Sequence, residues 1–249
     1  SPRQVATVRD GAAFAARRVV GGDGLMIVAD WQRGVTAFDV HDPAHPVELW
    51  TTDPLAFFLD PHEDLALAGG RLYVAGGGLS GLWAFDQLDS HPRDIAVVRG
   101  RDETVAVAAH GSMAVTLERF DRDGSFSRYG MRLRVLDVSD TADVRVVGTW
   151  LTHSGFHQAA VDDGVAVLGG SLSPLHTVDT SRPAAPRGVA TLADPEGVLD
   201  IARSGRFLYV AGIEWTLLWG LPNRPIPDLR VLDVGDPSAP KAVRQLDVG

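Results

Sequence analysis

Charged and imidazole side chains recur in this sequence at the start of similar apolar segments, and they are the residues whose types could do chemistry. Each segment continues as a short run of small and branched apolar residues, which is typical of a β-strand. If the segments pack side by side around a common axis, these residues form a polar set at the mouth of an otherwise apolar channel, which is a natural place for a ligand. The set comprises Arg18, Asp64, Thr104, His157 and Asp200, and the residues directly before them are Arg17, Glu63, Glu103, Phe156 and Leu199.

Two functional interpretations and one structural interpretation fit this polar set. Carboxylate and imidazole donors suit divalent metal ions, and the candidate metal ligands are Asp64, His157 and Asp200, with Glu103 or Glu63. Alternatively, a carboxylate such as Glu103 and His157 act as a general acid/base pair while Arg18 holds an anionic group. In the structural interpretation, Arg18 bridges Asp64 and Asp200, because a buried charge needs an opposite charge beside it.

The segments that carry these residues belong to an internal repeat. An aspartate ends the third apolar run of each copy, at spacings of 47, 51, 42 and 54 residues. A period of this length, with four short β-rich runs per unit, is the signature of propeller blades. No window shows a sustained helical period. The sequence therefore predicts an all-β propeller of about five four-stranded blades with essentially no helix. The repeated aspartates are Asp39, Asp86, Asp137, Asp179 and Asp233.

The turn that follows each aspartate carries a family resemblance. Residues 232–240 read LDVGDPSAP, residues 136–140 read LDVSD and residues 39–43 read DVHDP, each after a strand of Leu/Tyr-Val-Ala type. In these motifs the chain resembles the LVIVD-repeat family of β-propellers over nearly its whole length. The resemblance implies a propeller fold and an exported or surface location in bacteria, so we expect an extracellular, periplasmic or cell-surface protein. It carries over no catalytic residue.

The repeat predicts one propeller domain over residues 1–249, with an extra strand at its start. The blade units are residues 9–52, 53–100, 101–150, 151–193 and 194–249. Residues 2–8 are predicted to be an additional outer strand, since Pro2-Arg3 and the Val-Ala-Thr that follows at one residue's distance match the outer strand at Pro186-Arg187. Either the ring has five blades with one spare strand, or the chain forms part of a six-bladed ring. An unpaired edge is a liability, so we expect residues 3–8 to pair with another chain.

Two insertions extend the blades at the end where the polar set lies. Residues 118–131 connect the second and third strands of the third blade, and residues 212–228 do so in the fifth blade. The second insertion is apolar and rich in proline, and it carries Trp215 and Trp219; Trp31 is expected on the same face. Exposed tryptophans on a loop indicate a partner surface or a ligand lid, although a loop of this kind can also fold over the polar set and bury itself.

The aspartates and histidines of the turns have a simpler explanation. An aspartate side chain can accept the backbone N–H groups of the turn that follows it. Because the aspartate recurs in every copy, a structural role explains it better than one active site does. His41, His45, His91 and His110 are interpreted as solvent-facing turn residues.

Composition excludes several classes of function. The net charge of −9 argues against a nucleic-acid partner, and no apolar run is long enough for membrane insertion. The absence of cysteine removes disulfides and thiolate chemistry. The leading interpretation is a non-catalytic binding or scaffolding module for a protein or small-molecule ligand. The alternative is a metal-assisted hydrolase or lyase with a divalent ion at the channel mouth, and whether the chain is an enzyme is left open.

Overall fold

The computed structural model describes twelve stretches of the chain, and the regular secondary structure in them is entirely β-strand. The described residues contain twenty strands and no helix, which confirms the all-β prediction. The described stretches are residues 3–8, 16–30, 34–52, 64–76, 81–99, 102–121, 129–140, 143–152, 155–170, 173–192, 197–214 and 226–247.

The strands form five four-stranded antiparallel sheets, each made of four consecutive strands in sequence order. The first sheet contains β1 (Ala16–Gly22), β2 (Leu25–Asp30), β3 (Gly34–Asp39) and β4 (Val47–Thr51). The second contains β5 (Asp64–Ala68), β6 (Arg71–Gly76), β7 (Gly81–Asp86) and β8 (Arg93–Val98). The third contains β9 (Glu103–His110), β10 (Met113–Asp121), β11 (Tyr129–Asp137) and β12 (Arg145–Thr152).

The last two sheets repeat the same order. The fourth contains β13 (Gln158–Asp162), β14 (Val165–Gly170), β15 (Ser173–Asp179) and β16 (Arg187–Leu192). The fifth contains β17 (Gly197–Ser204), β18 (Phe207–Glu214), β19 (Ile226–Asp233) and β20 (Lys241–Asp247). The sheets fall in the five blade units expected from the repeat, except that β12 continues past residue 150 to Thr152. That the units make up one domain stays a prediction.

Residue contacts divide the chain into two compact units. The first contains residues 1–107 and 139–144, and the second contains residues 108–138 and 145–249. Each unit has its own core of buried apolar residues. The middle strands of the sheets contribute most to these cores, because they are covered on both faces and are therefore apolar almost throughout. In β14, for example, every residue from Val165 to Gly170 is buried.

In the first, fourth and fifth sheets, the aspartate that ends the third strand holds the turn after it. Asp39 accepts the backbone N–H of His41 at 2.9 Å, Asp179 that of Ser181 at 3.0 Å, and Asp233 that of Gly235 at 2.9 Å. The Asx-turn role expected for these aspartates is confirmed at the three positions. In the second sheet the carboxylate of Asp86 instead receives Nε and Nη2 of Arg93.

Each of these turns also packs on the hairpin between the first and second strands of its own sheet. The residue after the aspartate donates its N–H to that hairpin, as Thr180 does to the carbonyl of Gly164 at 2.7 Å. Gly164 has a φ of +71° and follows Asp163 at +43°, so the hairpin uses the left-handed conformations of a type I′ turn. A side chain at Gly164 would come within 2.9 Å of the Cα of Ser181.

Some of the contacts between successive sheets come from these same turns. In the first unit, the indole N–H of Trp50 in β4 donates to the carbonyl of Leu88, in the turn of the second sheet, at 2.7 Å. In the second unit, Thr177 of β15 donates to the carbonyl of Pro237, in the turn of the fifth sheet, at 2.6 Å. These turns therefore contact both the first hairpin of their own sheet and the preceding sheet.

Of the extra outer strand expected at residues 2–8, the structure describes residues 3–8. Residues 3–8 carry no strand structure, and Val5 is 52% exposed. The physical reason is that a strand needs a partner edge, and each described set of three strands already has a fourth strand of its own. Pairing of residues 3–8 with another chain stays a prediction.

The turn aspartates predict a loss of stability in acid. Hydrogen bonds from Ser181, and then the ion pair with Arg187, lower the pKa of Asp179, and equivalent bonds from His41 and Arg206 lower the pKa values of Asp39 and Asp233. Between the unfolded and folded pKa values the unfolded chain binds more protons, so the stabilisation is complete above about pH 4 and declines as the pH falls through the folded values.

Denaturant unfolding between pH 2.5 and 7 measures this loss. The variant Asp179→Asn keeps an oxygen that can accept the N–H of Ser181 but has no proton to bind in this range. We expect its free energy of unfolding to fall less steeply below pH 4 than that of the wild type. An unchanged slope would contradict the role assigned to this carboxylate.

Candidate functional site

Four of the residues proposed for a ligand site lie outside the described part of the chain. They are Trp31, Glu63, Trp215 and Trp219. The remaining members of the polar set divide between the two units, with Arg17, Arg18, Asp64, Glu103 and Thr104 in the first and His157 and Asp200 in the second. Their predicted assembly into one site stays a prediction, and each group is described in its own unit.

In the first unit, a buried carboxylate joins the first strands of three successive sheets. Nε of Arg18, in β1, lies 2.7 Å from Oδ1 of Asp64, the first residue of β5. Oδ2 of Asp64 accepts the backbone N–H of Val107, in β9, at 3.0 Å. The side chain of Asp64 is only 7% exposed, so these bonds replace the water that the charge has lost.

These contacts favour the structural interpretation of Asp64. Its Oδ1 also accepts the N–H of Leu65 at 2.9 Å, so both carboxylate oxygens have protein donors. The guanidinium of Arg18 occupies the position beside the carboxylate that a metal ion would need. It neutralises the charge of Asp64, as the structural interpretation expects. The predicted contact between Arg18 and Asp200 concerns residues of different units and stays a prediction.

The other residues of the first unit have different surroundings. Thr104 is 1% exposed, and its Oγ1 has no hydrogen-bond partner among the described residues. Glu103, directly before it, is partly buried, and Arg17 is exposed beside Arg18. Thr104 is therefore a buried side chain of β9, and its exposed fraction is as small as that of Asp64.

In the second unit, Asp200 repeats the local geometry of Asp64. Its Oδ1 accepts the N–H of the next residue, Ile201, at 2.8 Å, as Oδ1 of Asp64 does with Leu65. Asp200 follows an irregularity in the pairing of β17 with β18 and is exposed. His157 lies directly before β13 and is half-buried, and its backbone N–H donates to the carbonyl of Gly169 at 2.9 Å.

A second carboxylate that joins three sheets escaped the sequence analysis. Nδ1 of His110, at the end of β9, lies 3.2 Å from Oδ1 of Asp162, at the end of β13. Oδ2 of Asp162 accepts the backbone N–H of Gly205, in the turn after β17, at 2.9 Å. His110 is exposed, as expected for a turn residue, but it is also an ion-pair partner. Asp162 is 8% exposed and lies in the second unit with both of its partners.

A buried carboxylate also lies in the third sheet, at the base of the first insertion. Glu118 is 2% exposed, and its Oε2 and Oε1 lie 3.2 Å and 3.0 Å from Nη1 of Arg132 and Arg134. The guanidinium of Arg132 also lies 5.0 Å from the centre of the Phe120 ring. Glu118 and Arg132 are cross-strand partners. The signal in the sequence was an acidic residue and two arginines at the two ends of one hairpin.

The insertions are shorter than the sequence indicated. β10 continues to Asp121 and β11 begins at Tyr129, so the ends of the segment 118–131 are strand. β18 likewise continues to Glu214 and β19 begins at Ile226, within the segment 212–228. The residues between these strand ends lie outside the described part of the chain.

The contacts of Asp64 predict a large effect of removing Arg18. In Arg18→Met the carboxylate stays buried without its cation, and we expect a loss of about 3 kcal/mol in the free energy of unfolding. The double variant Arg18→Met/Asp64→Asn buries no charge, and its amide oxygen can still accept the N–H of Val107, so most of that stability should return. Denaturant unfolding measures both variants, with Arg17→Met as the exposed control. A single variant as stable as the wild type would refute the pairing.

Comparisons with known proteins identify a repeat in this chain. Residues 19–53 match the family model of the LVIVD repeat, a range that covers most of β1 and all of β2, β3 and β4. No curated protein matches the sequence. No helix long and apolar enough to cross a membrane occurs in the described stretches.

Solved structures that resemble this chain are β-propellers. One is the complex of KlAtg21 with the coiled-coil of AgAtg16, at 12% identity and a TM-score of 0.65 over 96% of this chain and 72% of the other. Another is a functionally unknown protein from Desulfotomaculum acetoxidans, at 11% identity and a TM-score of 0.65 over the same shares. A third is the computationally designed Ika8 protein, at 11% identity and a TM-score of 0.52 over 93% and 74%. At these identities the likeness shows the fold alone: the chain is a β-propeller with five described four-stranded blades, and it contains an LVIVD repeat.

Proposed function

We propose that this propeller is a non-catalytic binding or scaffolding module that holds a protein partner through its two hairpin insertions. The observation that carries the proposal is that the carboxylate most suited to chemistry, that of Asp64, is engaged by Arg18, Leu65 and Val107. A carboxylate whose oxygens already accept these donors acts as a structural link between sheets. The surface features left for function are then the insertions.

The two hairpins have the form of rigid supports. β10 and β11 have nine residues each and β18 and β19 have eight, whereas β2, β3, β6 and β7 have six. The extra residues lie at the connection between second and third strands, which is the equivalent end of both sheets. In the third sheet Glu118 lies at the base of this extension, and its bonds to Arg132 and Arg134 fix the two strands to each other. A rigid base reduces the entropy lost when a loop binds a partner.

A protein partner fits this surface better than a small molecule does. The segment 212–228 carries Trp215 and Trp219 among leucines and prolines, and tryptophan is the residue type that most often dominates the energy of a protein interface. The KlAtg21 propeller was solved in complex with a coiled-coil, which supports protein binding as a use of this fold. An exported or surface location is part of the same proposal.

The alternative enzyme, a metal-assisted hydrolase or lyase at the channel mouth, would require Asp64 to release its present partners. Arg18 would have to leave Oδ1, and the N–H of Val107 would lose its acceptor. The first change separates an ion pair, and the second leaves a buried N–H without a hydrogen bond, so both are unfavourable. We therefore favour binding over catalysis.

Alanine at the two tryptophans tests the proposal. The double variant Trp215→Ala/Trp219→Ala should lose the proteins that co-purify with the wild type from source cells, since each interface tryptophan typically contributes about 2 kcal/mol or more. Quantitative mass spectrometry of the captured proteins is the measurement, and an unchanged Tm shows that the variant is folded.

The matched control is Leu151→Ala, which removes an apolar side chain that is 59% exposed on the outer strand β12. It should retain the captured proteins. If the tryptophan variant retains them equally, or if the wild type captures no protein specifically, the insertions are not the binding surface.

A further inference from the structure

Three potential metal ligands converge at the hairpin ends of the third and fourth sheets, at the opposite end of the sheets from the insertions. They are His110, at the end of β9, Asp162, at the end of β13, and Asp163, in the turn that follows. One donor atom from each of the three lies within 4.8 Å of the other two, and no other group of three His, Asp or Glu residues meets this distance in the described stretches. The three belong to the second unit, and neither the binding surface nor the polar set includes them.

The separation of the first two donors already suits a shared ion. Nδ1 of His110 and Oδ1 of Asp162 are 3.2 Å apart. Zinc bonds of about 2.0–2.2 Å in tetrahedral geometry place neighbouring ligand atoms about 3.3–3.5 Å apart. An ion can therefore enter between these atoms with a shift of a few tenths of an ångström, and Asp163 needs only to close the remaining distance.

The ligand carboxylate is held in place by a second set of bonds. Oδ2 of Asp162 accepts the N–H of Gly205 at 2.9 Å, which leaves Oδ1 directed at His110. Outer bonds of this kind orient metal ligands and improve the site. Because these bonds already fix the carboxylate of Asp162, ion binding costs little of its conformational entropy.

The charge of the cluster is consistent with a divalent cation. The two carboxylates carry two negative charges, and the nearby guanidinium of Arg203 offsets one of them. Arg203 is held by the carbonyls of Val165 and Gly205, at 2.6 Å and 2.9 Å. Its donors are therefore directed at carbonyl oxygens, and they leave Oδ1 of Asp162 to His110.

We propose that His110, Asp162 and Asp163 form a zinc site that ties the third sheet to the fourth. One imidazole nitrogen and two carboxylate oxygens are a donor set that suits zinc, with water as the fourth ligand, whereas magnesium and calcium prefer oxygen ligands throughout. The ion replaces the direct contact between His110 and Asp162 with two stronger bonds.

Two other histidines in this chain provide matched comparisons. His41 and His45 lie 2.8 Å from Asp39 and Asp42 through Nδ1, so each forms a histidine–aspartate pair like that of His110, although with a more exposed carboxylate. Neither belongs to a group of three donors by the distance that His110, Asp162 and Asp163 satisfy, within the described stretches. If a pair alone were enough to hold zinc, these sites would bind it as well.

Zinc titration of the chelator-treated protein tests the site. Isothermal calorimetry should show one equivalent of zinc, and zinc should raise the Tm of the wild type. His110→Ala and Asp163→Asn should each weaken binding at least tenfold and abolish the rise in Tm, whereas His45→Ala should behave as the wild type. Asp162 is left unchanged because it also accepts the N–H of Gly205 from the fifth sheet, and asparagine tolerates the left-handed backbone of position 163.

Three results would overturn the proposal. They are the absence of zinc binding, wild-type affinity in both His110→Ala and Asp163→Asn, or an equal loss in His45→Ala, which would indicate an adventitious ion only. Circular dichroism of each variant separates loss of the site from loss of the fold. Because none of these variants touches the insertions, failure of the zinc site leaves the proposed binding function unaffected.

Discussion

A buried carboxylate shared by three successive sheets is the interaction on which this structure depends. A four-stranded sheet that is apolar on both faces cannot be stable alone, and packing against neighbours is what buries it. Apolar packing does not fix the register between sheets, but a charge does. Asp64 takes a cation from the preceding sheet and an N–H from the following one. Asp162 does the same with His110 and Gly205. A shift of any of the three sheets would leave a buried charge without its bonds.

The two links differ in the basic side chain that meets the carboxylate, and this difference determines which of the two links a metal ion could join. Arg18 is charged at every accessible pH and occupies its carboxylate with a guanidinium, so Asp64 is fixed as a link. The partner of Asp162 is an imidazole, which can bind a metal ion as readily as a proton. A carboxylate placed between three sheets is therefore a permanent link in the first unit and a candidate metal site in the second. The hairpin extensions are the surface to which we assign binding in our proposal, and in the third sheet Glu118 and its arginines fix the base of the extension.

The sequence predicted the parts of the fold that are local. The repeated aspartate and the turn residues after it act within a few positions of each other, so the pattern was enough to assign Asp39, Asp179 and Asp233 to their turns. Links between sheets were harder to predict, because they depend on the position of each strand along the strands of the neighbouring sheets. The pairing of Arg18 with Asp64 was anticipated from the alignment of first strands, whereas that of His110 with Asp162 was not, since the two residues lie at hairpins of different sheets and no local pattern relates them. Residues 3–8 matched an outer strand in sequence, but a match cannot supply the edge to which a strand must pair.

Amide hydrogen exchange at Val107 tests most directly whether the carboxylate of Asp64 links the sheets. The N–H of Val107 is bonded to Oδ2 of Asp64 in the neighbouring sheet. In the wild type we expect slow exchange at Val107, comparable with the paired amides of β10. In Asp64→Ala, exchange at Val107 should become at least tenfold faster while the amides between β10 and β11 keep their protection. If Val107 exchanges at the same rate in both proteins, the carboxylate does not tie these sheets together, and the register between them has another cause.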